Sequence, residues 1–254
     1  MGLGATFGFA HNAVNRIDCL NRLYELLDDL RARVGGYRYL GRCSGRDDWP
    51  KRGVYFFFEE SEKRESGKDL RVVRVGTHAI SGTSQQRLWT RLRQHKGRTG
   101  GTHPGGGDHR GSAFRWHVGW ALLNQGAYSG EIRQTWGERE LGTGSRRDRG
   151  KDAEYLLERD VSDFIGNMPF LWVEVPDDPG PRSDRKVLET NCIALLSNRN
   201  RPTLDPSSPG WLGRASEEPK VRESGLWLHN HVDDDYDLAF LSVLARYVVK
   251  MRRA

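Results

Sequence analysis

Arginine and histidine stand four residues apart in the segment Thr90-Arg91-Leu92-Arg93-Gln94-His95, a pair whose types and spacing could do chemistry. On a helix the two side chains point the same way, about 40° apart around the axis. A guanidinium offers a phosphate a planar two-pronged fork that stays charged, and an imidazole can move a proton near neutral pH. The same spacing also suits a solvated basic helix face. Glu189 is a second candidate: Cys192, Ile193 and Leu196 share its helical face, and a carboxylate on an apolar side needs a cation or a basic partner. A lone carboxylate with open water positions suits magnesium, which keeps much of its hydration. Tyr55 is the third. Strand alternation sends it to one face with Phe57, while Val54, Phe56 and Phe58 take the other. Its hydroxyl could accept a proton beside a cation, or serve as an ordinary core tyrosine. Glu154 and Glu158, also four apart, read as the solvated face of another helix.

Elements must hold these residues. Residues 12–33 carry Val14, Ile17, Leu20, Leu23, Leu27 and Leu30 at helical spacing, with Asn12 as cap and Gly35-Gly36 as stop. GVYFFFEE (53–60) and LRVVRVG (70–76) read as strands around a polar turn, hence an antiparallel hairpin. Helical spacing over 84–95 turns Leu88 and Leu92 inward, and FRWHVGWALL (114–123) is a further apolar element. Asp152 is the expected cap of a helix over 153–165, PFLWVEV (169–175) reads as a third strand, and Ser183 or Asp184 opens a helix through Leu196. A last helix is expected from about Leu238 to Met251. Strands alternate with helices without a regular βαβ rhythm, so the expected class is α+β, a small and mostly antiparallel sheet flanked by helices. Three segments are expected: an N-terminal helical extension (1–50), a core with insertions (51–200) and a C-terminal extension ending in a helix (201–254).

With 254 residues the chain can bury a full core, and 29% charged residues describe a polar surface. No apolar run approaches the roughly 18 residues of a membrane span, and the N-terminus lacks the pattern of a secretory signal. Cys19, Cys43 and Cys192 lie far apart, which makes a reducing cytoplasm the expected setting. Lysine and arginine number 40 against 34 acids, a net +6 that suits a polyanionic partner. The excess is concentrated in RLWTRLRQHKGR (87–98), with a second basic stretch, GSRRDRGK (144–151), in an expected loop. Five histidines between 78 and 117 lack H-x₃-H spacing and cysteine partners, which argues against zinc. The glycine-rich stretch 97–111 has no G-K-[ST] and is not a P-loop. Asp205 with Glu218-Pro219-Lys220 fits an acid followed by E-x-K, but prolines break the stretch and the match reads as chance.

Together these residues resemble the GIY-YIG nuclease family. Gly53-Val54-Tyr55 is similar to its first tripeptide, and Arg74-Val75-Gly76 stands at the second, with Arg74 where the family has tyrosine. TRLRQH (90–95) is similar to the family's arginine helix, with Arg91 at the arginine position, and VLETNCIALLSN (187–198) to its metal-binding helix, with Glu189 as the acid. The resemblance covers roughly residues 51–200. It implies a DNA endonuclease, of a restriction or defence kind, that uses Mg²⁺ or Mn²⁺ on Glu189. Arg91 would clamp the phosphate, Tyr55 would act as general base, and His95 would orient Tyr55 or relay its proton. An asparagine would brace the site, Asn200 by the better spacing and Asn198 as the alternative. Arg74, His78, Arg93, Lys96, His109 and Arg110 are the expected nucleic-acid contacts; His103, His109 and Arg110 would close over the substrate on the glycine-rich loop. Action on RNA, or a non-catalytic nucleic-acid-binding domain on the same fold, are the rival expectations. Cutting both strands with one site per chain favours a homodimer, or two successive nicks.

Overall fold

Val54, Phe56 and Phe58 alternate with Tyr55 and Phe57, so the strand that carries them has two apolar faces and belongs inside a sheet. The computed structural model describes residues 15–65, 67–97, 100, 102–126, 128–138 and 145–252. Along them run α1 (Arg16–Arg33), β1 (Arg38–Tyr39), β2 (Gly53–Lys63), β3 (Leu70–Gly76), α2 (Leu88–Lys96), α3 (Ala113–Gln125) and α4 (Gly130–Gly137). Then follow α5 (Ser145–Gly166), β4 (Pro169–Glu174), α6 (Asp184–Leu196), α7 (Pro219–Ser224) and α8 (Ala239–Lys250). The strands form one antiparallel sheet in the order β1-β4-β2-β3, which gives β2 a partner on each side. The fold is α+β, as the strand and helix patterns predict.

Each face of the sheet carries its own core. Val54, Phe56, Phe58, Val72, Leu171 and Val173 pack beneath α1, α6 and α8. Tyr55, Phe57, Val73, Phe170 and Trp172 pack beneath α2, α3 and α5, against Leu88, Leu92, Phe114 and Leu157. Each large apolar side chain fully buried in this way contributes roughly 1.5–3 kcal/mol. Tyr55 thus projects toward the helices that bear Arg91 and His95.

Several element boundaries differ from those expected. α1 is capped by Asn15, whose Oδ1 accepts from Ile17 N at 3.4 Å; Asn12 lies outside the described residues. α5 begins at Ser145, so most of the basic stretch expected as a loop is helix, and Asp152 sits inside it rather than at its cap. Arginine and lysine are good helix formers, and nothing stronger than Gly150 interrupts them. Pro219 occupies the first turn of α7 with Glu218 as its cap, a position where proline is favoured. Asp205 accepts hydrogen bonds from Tyr24 and Glu65 N, so the E-x-K pattern dissolves into a cap and a buried anchor.

The tail covers the outer edge of β3. Trp227 N donates to Val73 O at 2.8 Å, and Arg71 Nη1 donates to Gly225 O at 2.7 Å. The indoles of Trp211 and Trp227 both donate to the buried Glu59 carboxylate, at 2.9 and 2.7 Å. A covered edge offers fewer strand groups for another chain to pair with. Among the described residues no helix is long and apolar enough to cross a membrane.

Candidate active site

Tyr55 and His95 meet between β2 and α2. The phenol oxygen lies 2.8 Å from His95 Nε2, and both residues are buried. Glycine is required opposite: a Cβ at Gly76 would fall 2.4 Å from Tyr55 Oη, so this tripeptide position leaves room for the tyrosine ring. At Gly53 a Cβ would fall 2.5 Å from Val173 O, which explains the glycine that opens β2. The His95 ring packs edge-on against Phe57 and Phe114, and its Nδ1 lies 2.8 Å from Ser112 Oγ. Burial, then the charges of Arg91, Arg74 and Arg115, hold His95 well below the usual histidine range, so the imidazole is neutral.

Two arginines flank the pair. Arg91 stands at the more open side of α2, where Nη1 donates to Gln94 Oε1 at 2.8 Å and to Gly111 O at 3.3 Å. Arg74, at the position of the family's second tyrosine, is buried, donates to Trp227 O and lies over the Phe114 ring. Burial lowers its pKa; the Tyr55 and Glu189 sides of the site oppose that shift and Arg91 adds to it. It remains a cation, because an arginine stays charged even when buried.

Glu189 enters from α6. Its Oε1 accepts from Thr77 N at 3.1 Å, and Thr77 directly follows Gly76, so this contact joins the carboxylate to the Tyr55 side of the sheet. Its Oε2 accepts from Lys186 Nζ at 3.2 Å, with the side chain 17% exposed. Lys186 continues to His231 Nε2 at 2.7 Å, and His231 Nδ1 to Asp234 at 2.6 Å. His231 takes a left-handed backbone, φ 62°, which is uncommon for a residue with a side chain and clusters at functional sites. Among the described residues no three acidic, histidine or cysteine side chains converge as a metal cage. One carboxylate with free lone pairs and partial exposure does fit a hydrated divalent cation held by a single protein ligand.

The expected nucleic-acid contacts divide. Arg93 is exposed and lines a cleft of about 760 Å³ together with Trp89, Lys96 and Gly111. Lys96 is committed to the backbone, donating to Gly41 O at 3.0 Å and Cys43 O at 2.5 Å. His78 is buried with Nε2 3.3 Å from Lys51 O; burial pushes it to about 4, against that hydrogen bond and with the help of Arg185, Arg52 and Arg91. It is neutral at pH 7 and brings no charge to a phosphate.

His109 and Arg110 each hold a buried acid, and Arg110 also lines the cleft with Arg93. His109 is buried, stacked on Trp136 at 3.7 Å, with Nδ1 2.9 Å from Glu158; Arg110 forks onto Glu154 at 2.8 Å through both Nη atoms. Glu154 and Glu158 are therefore buried acids and not a solvated face. These pairs, with His103 on Asp152 at 2.7 Å, tie the described 103–110 part of the glycine-rich loop to α5. Asn200 does not reach the cluster. It is exposed, with φ 56°, and its amide donates to Asp233 at 3.0 Å; Asn198 instead holds the turn at Leu204 and Asp205.

Ser112, Thr77, Lys186, His231 and Arg115 escaped the sequence reading. Ser112 before an apolar run is a legible cap signal, but its contact with His95, seventeen residues away, is not. Arg115 is buried and spans from Glu158 to His95 O, at 3.0 and 2.8 Å.

A hydroxyl–imidazole pair, two arginines and a lone carboxylate on a small antiparallel sheet suit an anionic substrate. A sequence model of the GIY-YIG domain matches residues 14–254, taking in the N-terminal helix and the tail as well as the sheet. The chain therefore belongs to the GIY-YIG family of nucleases. No curated protein and no solved structure matches it.

Proposed function

We propose that this protein is a metal-dependent endonuclease that hydrolyses phosphodiester bonds, with DNA as its substrate and Mg²⁺ or Mn²⁺ as its cofactor. The observation that carries the reading is the Tyr55–His95 pair at 2.8 Å beside Arg74 and Arg91, with Glu189 joined to it through Thr77. Glu189 is the residue that would hold the metal. When bound, a divalent ion supplies Lewis acidity and orients the leaving oxygen. The remaining chemistry falls to the chain itself. Arg91 and Arg74 bring two cations to the phosphate, charge that is worth most where water is excluded. Tyr55 takes a proton from the attacking water, a role worth roughly 10²–10⁴ in rate. His95 is neutral and buried, so it orients the phenol without adding charge. Arg93 in the neighbouring cleft is placed for a flanking phosphate. A defence role, homodimeric action and a cytoplasmic site belong to the same reading.

A second reading, a binding domain without catalysis, draws on the Lys186 ammonium at Glu189 and on Arg74 in place of a tyrosine. Cleavage of supercoiled plasmid by wild type and Glu189→Ala, with Mg²⁺, Mn²⁺ or EDTA, separates the two. Metal-dependent nicking by wild type and none by the variant is expected. Binding without cleavage by either protein, on DNA and RNA alike, would transfer the case to the second reading.

A further inference from the structure

Ser112 is almost completely buried and caps α3, its Oγ accepting from Arg115 N at 3.3 Å. A backbone N–H can only donate, so that bond uses one lone pair and leaves the hydroxyl proton to be placed. A buried O–H without an acceptor is costly, and buried polar groups are almost always paired. Among the described residues the only acceptor in reach of this proton is His95 Nδ1, 2.8 Å away. A neutral imidazole has one N–H and one bare nitrogen. If Nδ1 accepts, Nε2 carries the proton, and Nε2 faces the Tyr55 oxygen at 2.8 Å.

We infer that Ser112 is a positioning residue that fixes the tautomer of His95, so that the imidazole donates to Tyr55 and cannot accept its proton. The catalytic weight of this assignment rests on the nuclease reading; the tautomer itself does not. His95 is then not a relay. The Tyr55 oxygen receives the Nε2–H, with the Arg74 cation beside it, and works as a base in its phenolate form. As the water oxygen bonds to phosphorus, the water proton passes to the phenolate, and the leaving oxygen departs with the bonding electron pair and takes a proton from solvent. Tyr55 releases that proton to solvent before the next turnover.

The tautomer can be read directly. In ¹⁵N-labelled protein at pH 7, with His95→Gln assigning the resonances, His95 should have Nε2 protonated and Nδ1 bare; the reverse pattern overturns the inference whether or not the protein cleaves anything. Two variants then test the role, and both retain a helix cap. Ser112→Thr keeps a donor to Nδ1 and should leave the tautomer unchanged and cleavage within about threefold. Ser112→Asp can only accept from Nδ1, so it should move the proton there and lower kcat about 100-fold, the scale of a misplaced acid–base group, with KM little changed. Full kcat in a Ser112→Asp protein whose Nε2 is bare would remove the role. Absence of cleavage in every form, wild type included, would count against the nuclease reading and leave the tautomer result standing.

Discussion

A single oxygen separates Tyr55 from phenylalanine, and the ring is already packed against Phe57. Tyr55→Phe should therefore keep the fold while removing the group proposed to take the proton. Plasmid cleavage should fall by about 10²–10³, with a melting temperature close to wild type; a variant that cleaves normally would show that the base lies elsewhere. Gly76→Ala tests the same atom from across the strand pair. Its new methyl would overlap the phenol oxygen, so the ring must shift from His95. We expect a comparable loss of cleavage, together with about 1–3 kcal/mol of destabilisation in urea titrations, the usual result of overpacking. The first glycine of the motif acts differently, by admitting the Val173 carbonyl.

At the scale of elements, the helix that carries Arg91 and His95 is held by a neighbour that carries no candidate catalytic residue. Glu158 on α5 binds Arg115, His109 and the His109 N–H; Arg115 in turn grips His95 O at the end of α2. Burial alone would raise Glu158, but the His109 hydrogen bond and then the Arg115 charge outweigh it and hold the carboxyl at about 2. Glu158→Gln leaves the fully buried Arg115 without its counter-charge, so a loss of about 3–5 kcal/mol is expected in denaturant titration. The same network ties His103, His109 and Arg110 to α5. Its periodicity was legible as two acids four apart, but which partners the helix would meet depended on a loop that returns 44 to 49 residues away in sequence.

For the whole molecule, the buried histidines set the response to acid. An unfolded histidine takes its proton near pH 6.5, whereas folded His78 does so at about 4 and folded His117 at about 3, burial being the main cause for each. The unfolded chain therefore binds more protons over this range, and stability is lost as pH falls from about 6.5 toward 3. Glu158 extends the loss: its stabilising charge is present above the ordinary carboxylate range and disappears as pH approaches about 2. Urea midpoints measured from pH 8 to pH 3 should decline steadily below about 6.5, and His78→Gln should flatten the upper part of that decline. Midpoints that stay level to pH 4 would mean that these rings are charged, and solvated, in the folded state.

Local periodicity determined much of this protein. The alternation in 53–58 required a strand with two buried faces, the leucine spacing fixed α1 and α2, and the order of tripeptide, arginine helix and glutamate helix identified the family. These features depend on neighbours within a few residues, so a single sequence carries them. Partnership across the chain was decided only by the tertiary structure. His109, Arg110 and Asn200 have the composition of substrate contacts, yet the first two hydrogen-bond buried acids and the third faces Asp233. Ser112 reads as one helix cap among several, yet packing of α3 against α2 puts its hydroxyl on the histidine that touches Tyr55. A polar side chain advertises only its capacity to donate or accept; burial and the geometry of distant elements choose its partner.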